Sequence, residues 1–170
     1  MSPTAAAEVT CRVVVGVGDL ALSDRPGDLL VTYALGSCLG VCIYDPAAKV
    51  AGMLHAMLPT ATADPERARE RPAKFVDSGL TQLFRDAYSL GARKERIIVK
   101  VAGGASSTPE GRTDSFQIGK RNLVELRKLM WKNGVLLEAE DVGGGKSRTV
   151  SLDVATGEVV ITSIGEKTRL

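Results

Sequence analysis

The run Leu39-Gly40-Val41-Cys42-Ile43-Tyr44-Asp45-Pro46-Ala47-Ala48-Lys49-Val50-Ala51-Gly52-Met53-Leu54-His55-Ala56-Met57 decides how this chain is read. Two apolar stretches, Leu39 to Tyr44 and Val50 to Met57, flank Asp45-Pro46-Ala47-Ala48, a composition suited to a tight reversal, so the spacing predicts an antiparallel hairpin. A hairpin ties residues together by position. With Asp45 opposite Ala48, Cys38 falls opposite His55, the single histidine, on one face with Cβ atoms about 4.5 to 5.5 Å apart. Moving the turn by two positions makes the pair diagonal and keeps the face; moving it by one separates the two side chains.

Upstream, Val9 to Val17 alternates and is rich in Val, predicting a strand, and Asp24, Pro26 and Gly27 predict a turn before a second strand at Leu29 to Tyr33. Downstream, Thr60 to Pro72 is polar and without apolar periodicity, which reads as a surface loop, either functional or a solvated linker. Phe75, Val76, Leu80, Leu83, Phe84, Ala87 and Leu90 recur at helical spacing before the stop at Gly91. A short strand at Ile97 to Val101 ends at Gly103-Gly104, and Ile118 to Trp131 forms a second amphipathic helix before Asn133-Gly134. Val135 to Asp141, Thr149 to Val154 and Glu158 to Ile164 predict three more strands, the last two joined across Ala155-Thr156-Gly157. Many strands and two main helices favour an α+β layered α/β sandwich in which helices cover one face of the sheet.

The 170 residues are expected to form one domain over 1–170, with about the first eight as a flexible tail. Hydrophobic residues make up 44%, enough for a core, which excludes disorder for the bulk of the chain. The 22 Lys and Arg against 20 Asp and Glu leave a net charge of +2, and three Phe, three Tyr and one Trp are too few for a base-stacking platform. Composition therefore argues against nucleic acid as a partner. The longest uncharged run, Leu29 to Tyr44, is short of the roughly 20 apolar residues that span a bilayer, so no membrane insertion is expected. Met1 to Glu8 lacks the basic start of a secretory signal and three sparse cysteines make no disulfide framework, which points to the cytoplasm.

Cys38 follows Leu35-Gly36-Ser37, a tight Gly-Ser turn whose successive N–H groups can be left free to bind an anion. Gly36, Ser37 and Cys38 are thus candidate oxyanion donors. A cysteine attacks as thiolate, and an imidazole beside it can take the proton and return one to a leaving amine. Burial as a small hydrophobe is the competing reading of Cys38, and both stand on the residues alone. Cys11 and Cys42 sit in apolar strands without an ionisable partner and read as core. Cys38 and Cys42, about 13 Å apart along an extended strand, cannot share one metal ion. Gly143-Gly144-Gly145-Lys146-Ser147 resembles the end of a phosphate loop, but Glu140 stands where the earlier glycine is required. The charges of Asp64 to Lys74 are mixed in sign and read as a solvated face.

Thr32-Tyr33-Ala34-Leu35-Gly36-Ser37-Cys38, Tyr44-Asp45-Pro46 and Gly52-Met53-Leu54-His55-Ala56-Met57-Leu58-Pro59 resemble the CheD family of chemoreceptor glutamine deamidases. The likeness continues through Gly103-Gly104-Ala105, Ile118-Gly119-Lys120-Arg121-Asn122, Glu140-Asp141-Val142-Gly143-Gly144 and Thr156-Gly157. It implies a nucleophile at Cys38, its histidine at His55 and a third catalytic residue at Thr32. It implies conversion of receptor glutamine to glutamate with release of ammonia, without metal or organic cofactor, in chemotaxis adaptation. It further implies a fold similar to the deamidating domain of cytotoxic necrotizing factor toxins, and partners in methyl-accepting chemotaxis receptor helices and the CheC phosphatase. An adaptor that binds receptors or a CheC-type phosphatase, with catalysis secondary, is the alternative. Ser106-Ser107-Thr108 and Lys146-Ser147-Arg148 depart from the family pattern, which bears on partner choice more than on chemistry.

Overall fold

The computed structural model describes residues 8–106 and 114–170. In chain order its strands are β1 (Cys11–Val14), β2 (Leu20–Ser23), β3 (Asp28–Leu35), β4 (Leu39–Asp45), β5 (Val50–Ala56), β6 (Ile98–Gly103), β7 (Leu137–Val142), β8 (Arg148–Asp153), β9 (Val159–Ser163) and β10 (Glu166–Arg169). Helices α1 (Pro65–Glu70) and α2 (Val76–Ser89) lie between β5 and β6, and α3 (Ile118–Lys132) precedes β7. Every residue of β4 and β5 is buried. Uncharged runs of this kind must be covered on both faces, and they lie at the centre of a sheet ordered β2-β5-β4-β6-β7. The second sheet is ordered β1-β3-β8-β9-β10. Both are mixed, since β1 runs parallel to β3 and β7 parallel to β6.

The alternation of β4 and β5 divides the core in two. Leu39, Val41, Ile43, Leu54 and Ala56 face α2 and α3, meeting Val76, Leu80, Leu83 and Leu126. Cys42, Tyr44, Ala51 and Met53 face the other sheet, meeting Leu30, Leu35, Val150, Leu152 and Ile161. The layers are therefore helices, sheet, sheet. Gly52 holds the first interface close, because a Cβ there would overlap Leu22 and press on Ile43 and Leu83.

The α+β class and the two main helices agree with the sequence reading, and the single expected sheet is corrected to two. Polar alternation in β8 and β9 lets a separate sheet show one face to solvent while burying the other. The strand read at Val9 to Val17 is confined to four residues, and β2 and β10, each four residues long, were not expected. The polar stretch Thr60 to Pro72 is not a loop: Asp64 accepts from the Arg67 amide, Pro65 opens α1, and no residue of that helix is buried. Cys11 is exposed rather than in the core, because it opens the short edge strand β1, in which Val13 alone is partly covered. Cys42 is buried, and burial holds its thiol at about 12 despite Lys100. Ser107 and Thr108, like residues 1–7 of the expected eight-residue tail, lie outside the described residues.

The hairpin turn is also corrected. Asp45 pairs with Val50 instead of Ala48. Its carboxylate accepts from the amides of Ala47 (2.9 Å) and Ala48 (3.1 Å), and Lys49 takes a left-handed φ of 56°, which closes a four-residue loop. The change in register is the even one, so the face shared by Cys38 and His55 is kept.

Candidate active site

His55 sits on β5 with its side chain between the sheets and is 1% exposed. Its backbone is gripped by the segment entering β2: Gly18 donates to the His55 carbonyl and His55 donates to Asp19, each at 2.9 Å. The residue opposite is Gly40. A Cβ on Gly40 would lie 2.7 Å from Leu35 Cδ1 and 3.7 Å from Thr32 Cγ2, so the missing side chain lets β3 of the other sheet approach the imidazole.

Thr32 makes that approach. Its Oγ1 lies 2.7 Å from His55 Nδ1 and 2.7 Å from the Val15 carbonyl, with the threonine completely buried. A hydroxyl has one proton and a carbonyl can only accept, so Thr32 donates to Val15 and accepts from Nδ1–H. That assignment leaves Nε2 as the bare lone pair. Nε2 is buried and has no hydrogen-bond partner among the described residues. Burial lowers the pKa of His55 below its ordinary 6.5, which favours the neutral imidazole.

Cys38 occupies the bend before β4, one residue outside the strand, and packs on the inter-sheet core from the side that His55 faces. It is diagonal to His55 rather than opposite, as the corrected register requires. The thiol is half-buried; burial raises its pKa above 9.0, and its own backbone N–H opposes the rise. Both shifts favour the uncharged forms, thiol and neutral imidazole.

A bulge brings the bend to this place. Register between β3 and β8 slips between Thr32 and Leu35, Ala34 adopts φ of 57°, and Thr32 and Leu35 both turn inward while Tyr33 and Ala34 stay exposed. The following three carbonyls are all engaged. Gly36 O accepts from Ala105 N (2.9 Å), Ser37 O from Asn122 Nδ2 (3.0 Å) and Cys38 O from Gly104 N (2.9 Å). The amides of Gly36, Ser37 and Cys38 donate to no other described residue. Gly103, at φ of 109°, must be glycine, since a Cβ there would run into the Cys38 carbonyl.

The Gly143 to Lys146 segment, read as an incomplete phosphate loop, is a brace for this corner. Gly143 N donates to Gly103 O, and buried Arg148 donates to the carbonyls of Gly103, Gly143 and Lys146 while its guanidinium meets Asp141 at 3.3 Å. The sequence attaches no role to Val15, and Asn122 enters it only within the family-like segment Ile118 to Asn122. Val15 acts through a carbonyl, which no side-chain pattern reports. Asn122 is separated from Ser37 by 85 positions, with only the docking of α3 to bring it there. No helix among the described residues is long and apolar enough to cross a membrane.

A family model described as "CheD chemotactic sensory transduction" matches residues 57–163. The chain is 49% identical over 153 residues, 90% of its length and 94% of the relative's, to "Probable chemoreceptor glutamine deamidase CheD 1" of Syntrophus aciditrophicus (strain SB). A "Probable chemoreceptor glutamine deamidase CheD" of Solibacter usitatus (strain Ellin6076) is 45% identical over 94% of this chain and 93% of its own. One of Pyrococcus abyssi (strain GE5 / Orsay) is 42% identical over 89% and 91% respectively. Among solved structures, the hypothetical protein YfiH of Bacillus licheniformis aligns with TM-score 0.45 and 18% identity over 72% of this chain and 49% of its own. Neisseria meningitidis protein NMB0706 aligns with TM-score 0.43 and 12% identity over 78% and 63%.

Proposed function

The chain belongs to the CheD family, and from that premise we propose that it is a protein-glutamine deamidase acting on chemoreceptors in the cytoplasm, with Cys38, His55 and Thr32 as its catalytic residues. The observation that carries the reading is the committed proton of Thr32: donated to Val15, it leaves the hydroxyl accepting from Nδ1 and leaves Nε2 free as a base, on a histidine that shares its hairpin face with Cys38. A histidine kept only for packing would have no need of one bare, buried nitrogen.

In the first half-reaction Cys38 Sγ adds to the glutamine side-chain carbonyl carbon as Nε2 takes the thiol proton. The carbonyl oxygen becomes an oxyanion facing amides of the Gly36–Cys38 bend. His55 then gives its proton to the departing nitrogen, the C–N bond breaks, and ammonia leaves a thioester. Water adds to the thioester as Nε2 takes its proton, the C–S bond breaks, and the thiol is restored beside a glutamate. These steps use this chain's own groups and water, and no cofactor is invoked. Thr32, uncharged, orients the imidazole less strongly than a carboxylate does.

The single-domain reading over 1–170, the role in adaptation, the likeness to the deamidating domain of necrotizing factor toxins and binding to a CheC phosphatase belong to the same proposal. The test is peptide mass spectrometry of a receptor cytoplasmic fragment incubated with wild-type or Cys38→Ala protein, with ammonia assayed in parallel. A gain of about 1 Da at defined glutamines with wild type alone supports the enzyme. An equal effect of both proteins on receptor signalling without mass change favours the adaptor.

A further inference from the structure

We propose that Asn122 is a positioning residue that aims the Cys38 amide into the oxyanion site. Asn122 is fully buried on α3, and both protons of its Nδ2 are spent, one on Ser37 O and one on Met57 O, each at 3.0 Å. The first acceptor immediately precedes the nucleophile, and the second lies two residues beyond His55. One side chain thus ties the cysteine bend to the end of the histidine strand.

The peptide group is planar and trans, so a carbonyl and the N–H of the next residue point in opposite directions. Holding Ser37 O toward α3 turns the Cys38 N–H away from α3. In the same way Ala105 N, holding Gly36 O, turns the Ser37 N–H, and Gly104 N sets the peptide that follows Cys38. Two of these three anchors are backbone amides of one segment; the third is the Asn122 side chain alone. The segment and α3 are in turn packed without clearance, because a Cβ on Gly119 would collide with the backbone of Gly104 and Ala105.

This inference rests on the deamidase reading only in taking Cys38 as the nucleophile, and it is tested without a receptor. Wild-type, Asn122→Ala and Asn122→Asp proteins are compared in two reactions at Cys38, each read by peptide mapping so that exposed Cys11 does not interfere. Butyraldehyde adds the thiol across its C=O bond: the S–C bond forms, the π bond breaks, and the resulting oxyanion takes up the thiol proton to give a thiohemiacetal. Iodoacetamide transfers a carboxamidomethyl group: the S–C bond forms as the C–I bond breaks, iodide leaves, the thiol proton passes to solvent, and no oxyanion develops at the reacting carbon. The expected result is aldehyde affinity weakened about tenfold or more with alkylation changed less than about twofold, and receptor deamidation falling about 10- to 100-fold in kcat with KM retained. Parallel loss of alkylation, unchanged aldehyde affinity, no adduct in wild type, or loss of the cooperative melt in both variants overturns the proposal. Asn122→Asp keeps the side-chain volume, so it is read where Asn122→Ala is unfolded. If the aldehyde contrast holds and wild type deamidates no receptor, the substrate reading fails and this one stands; the reverse result separates them the other way.

Discussion

The two ends of the β4–β5 hairpin carry Asp45 and His55, both buried and ionisable, and the two are treated in opposite ways. At the turn, Asp45 is completely buried and every part of it is satisfied: Arg96 reaches both oxygens, with Nη2 at 2.8 Å, and the amides of Ala47, Ala48 and Arg93 complete the shell. Burial alone would raise its pKa, but Arg96 and the three amides outweigh it and hold the carboxyl at about 2. At the open end, His55 is as deeply buried, yet Nε2 has no partner among the described residues and nothing counters the burial that lowers its pKa. A closed shell fixes a loop; an open one leaves a lone pair available for chemistry. The hairpin therefore has a closed end and an open end on one rigid pair of strands, and the open end is the one proposed to react.

The strongest way to break this contrast is to exchange the outcomes of mutation at the two ends. Cys38→Ala is expected to lower receptor deamidation by about 10⁴-fold or more, to background, with an unchanged thermal melt, measured by mass spectrometry and calorimetry. Asp45→Ala should do the reverse. It removes about 2 kcal/mol or somewhat more of stability, because the downward shift of the Asp45 carboxyl is a folding free energy, while activity per folded molecule persists at low temperature. The sign follows from the shift: with the folded pKa near 2 and the ordinary value at 3.8, this stabilisation is complete above about pH 4 and is lost as pH falls toward 2. The denaturant midpoints of wild type and variant should differ most at pH 7 and draw together as pH is lowered from 4 toward 2.

Smaller effects sharpen the reactive end. Thr32→Val keeps the shape but removes the acceptor for Nδ1–H and the donor to Val15, and a loss of about 10- to 100-fold in kcat is expected, well short of Cys38→Ala. The pH profile of kcat/KM should be level from about pH 7 to about pH 9. It should fall by about tenfold per unit on the acid side only below the ordinary histidine value, because the base form of His55 is required and burial lowers its pKa. A profile that falls already at pH 7.5 contradicts the neutral-pair assignment. The smallest effect is at Ala34: at φ of 57° a Cβ costs about 1 kcal/mol, so Ala34→Gly should raise the melting midpoint by a few degrees and leave activity in place.

The legible parts were those with a local pattern. α2 and α3 announce themselves by apolar periodicity, and the hairpin by its two runs around Asp45-Pro46. Face parity brought Cys38 and His55 together even though the register was read two positions short, because an even shift moves residues along a face and not across it. The exact turn was not legible, since it depends on the Asp45 carboxylate capping Ala47 and Ala48 and being held from outside by Arg96, 51 positions away. β2 and β10 are four residues each and owe their state to the strands they pair with, a tertiary effect that overrides weak propensity. In α1 the Asp64-Pro65 start signal was present, but the helix has no buried face for periodicity to report. Thr32 as the partner of His55 came from family resemblance; its distance from the histidine in the chain is bridged by contact between two sheets, which no spacing encodes.

The bend at Cys38 has no local means of holding its shape. Its anchors come from Ala105, Gly104 and Asn122, with Arg148 behind them, so 85 residues separate Ser37 from the side chain that orients its peptide. Such separations close late in folding, after the entropy of long loops has been overcome. A nascent or clipped chain that has formed only the hairpin carries the thiol without directed amides, and so remains an ordinary cysteine. On the proposed mechanism, catalytic competence would follow completion of the fold, and a nick anywhere between the bend and β8 is expected to silence the thiol before it unfolds the strands.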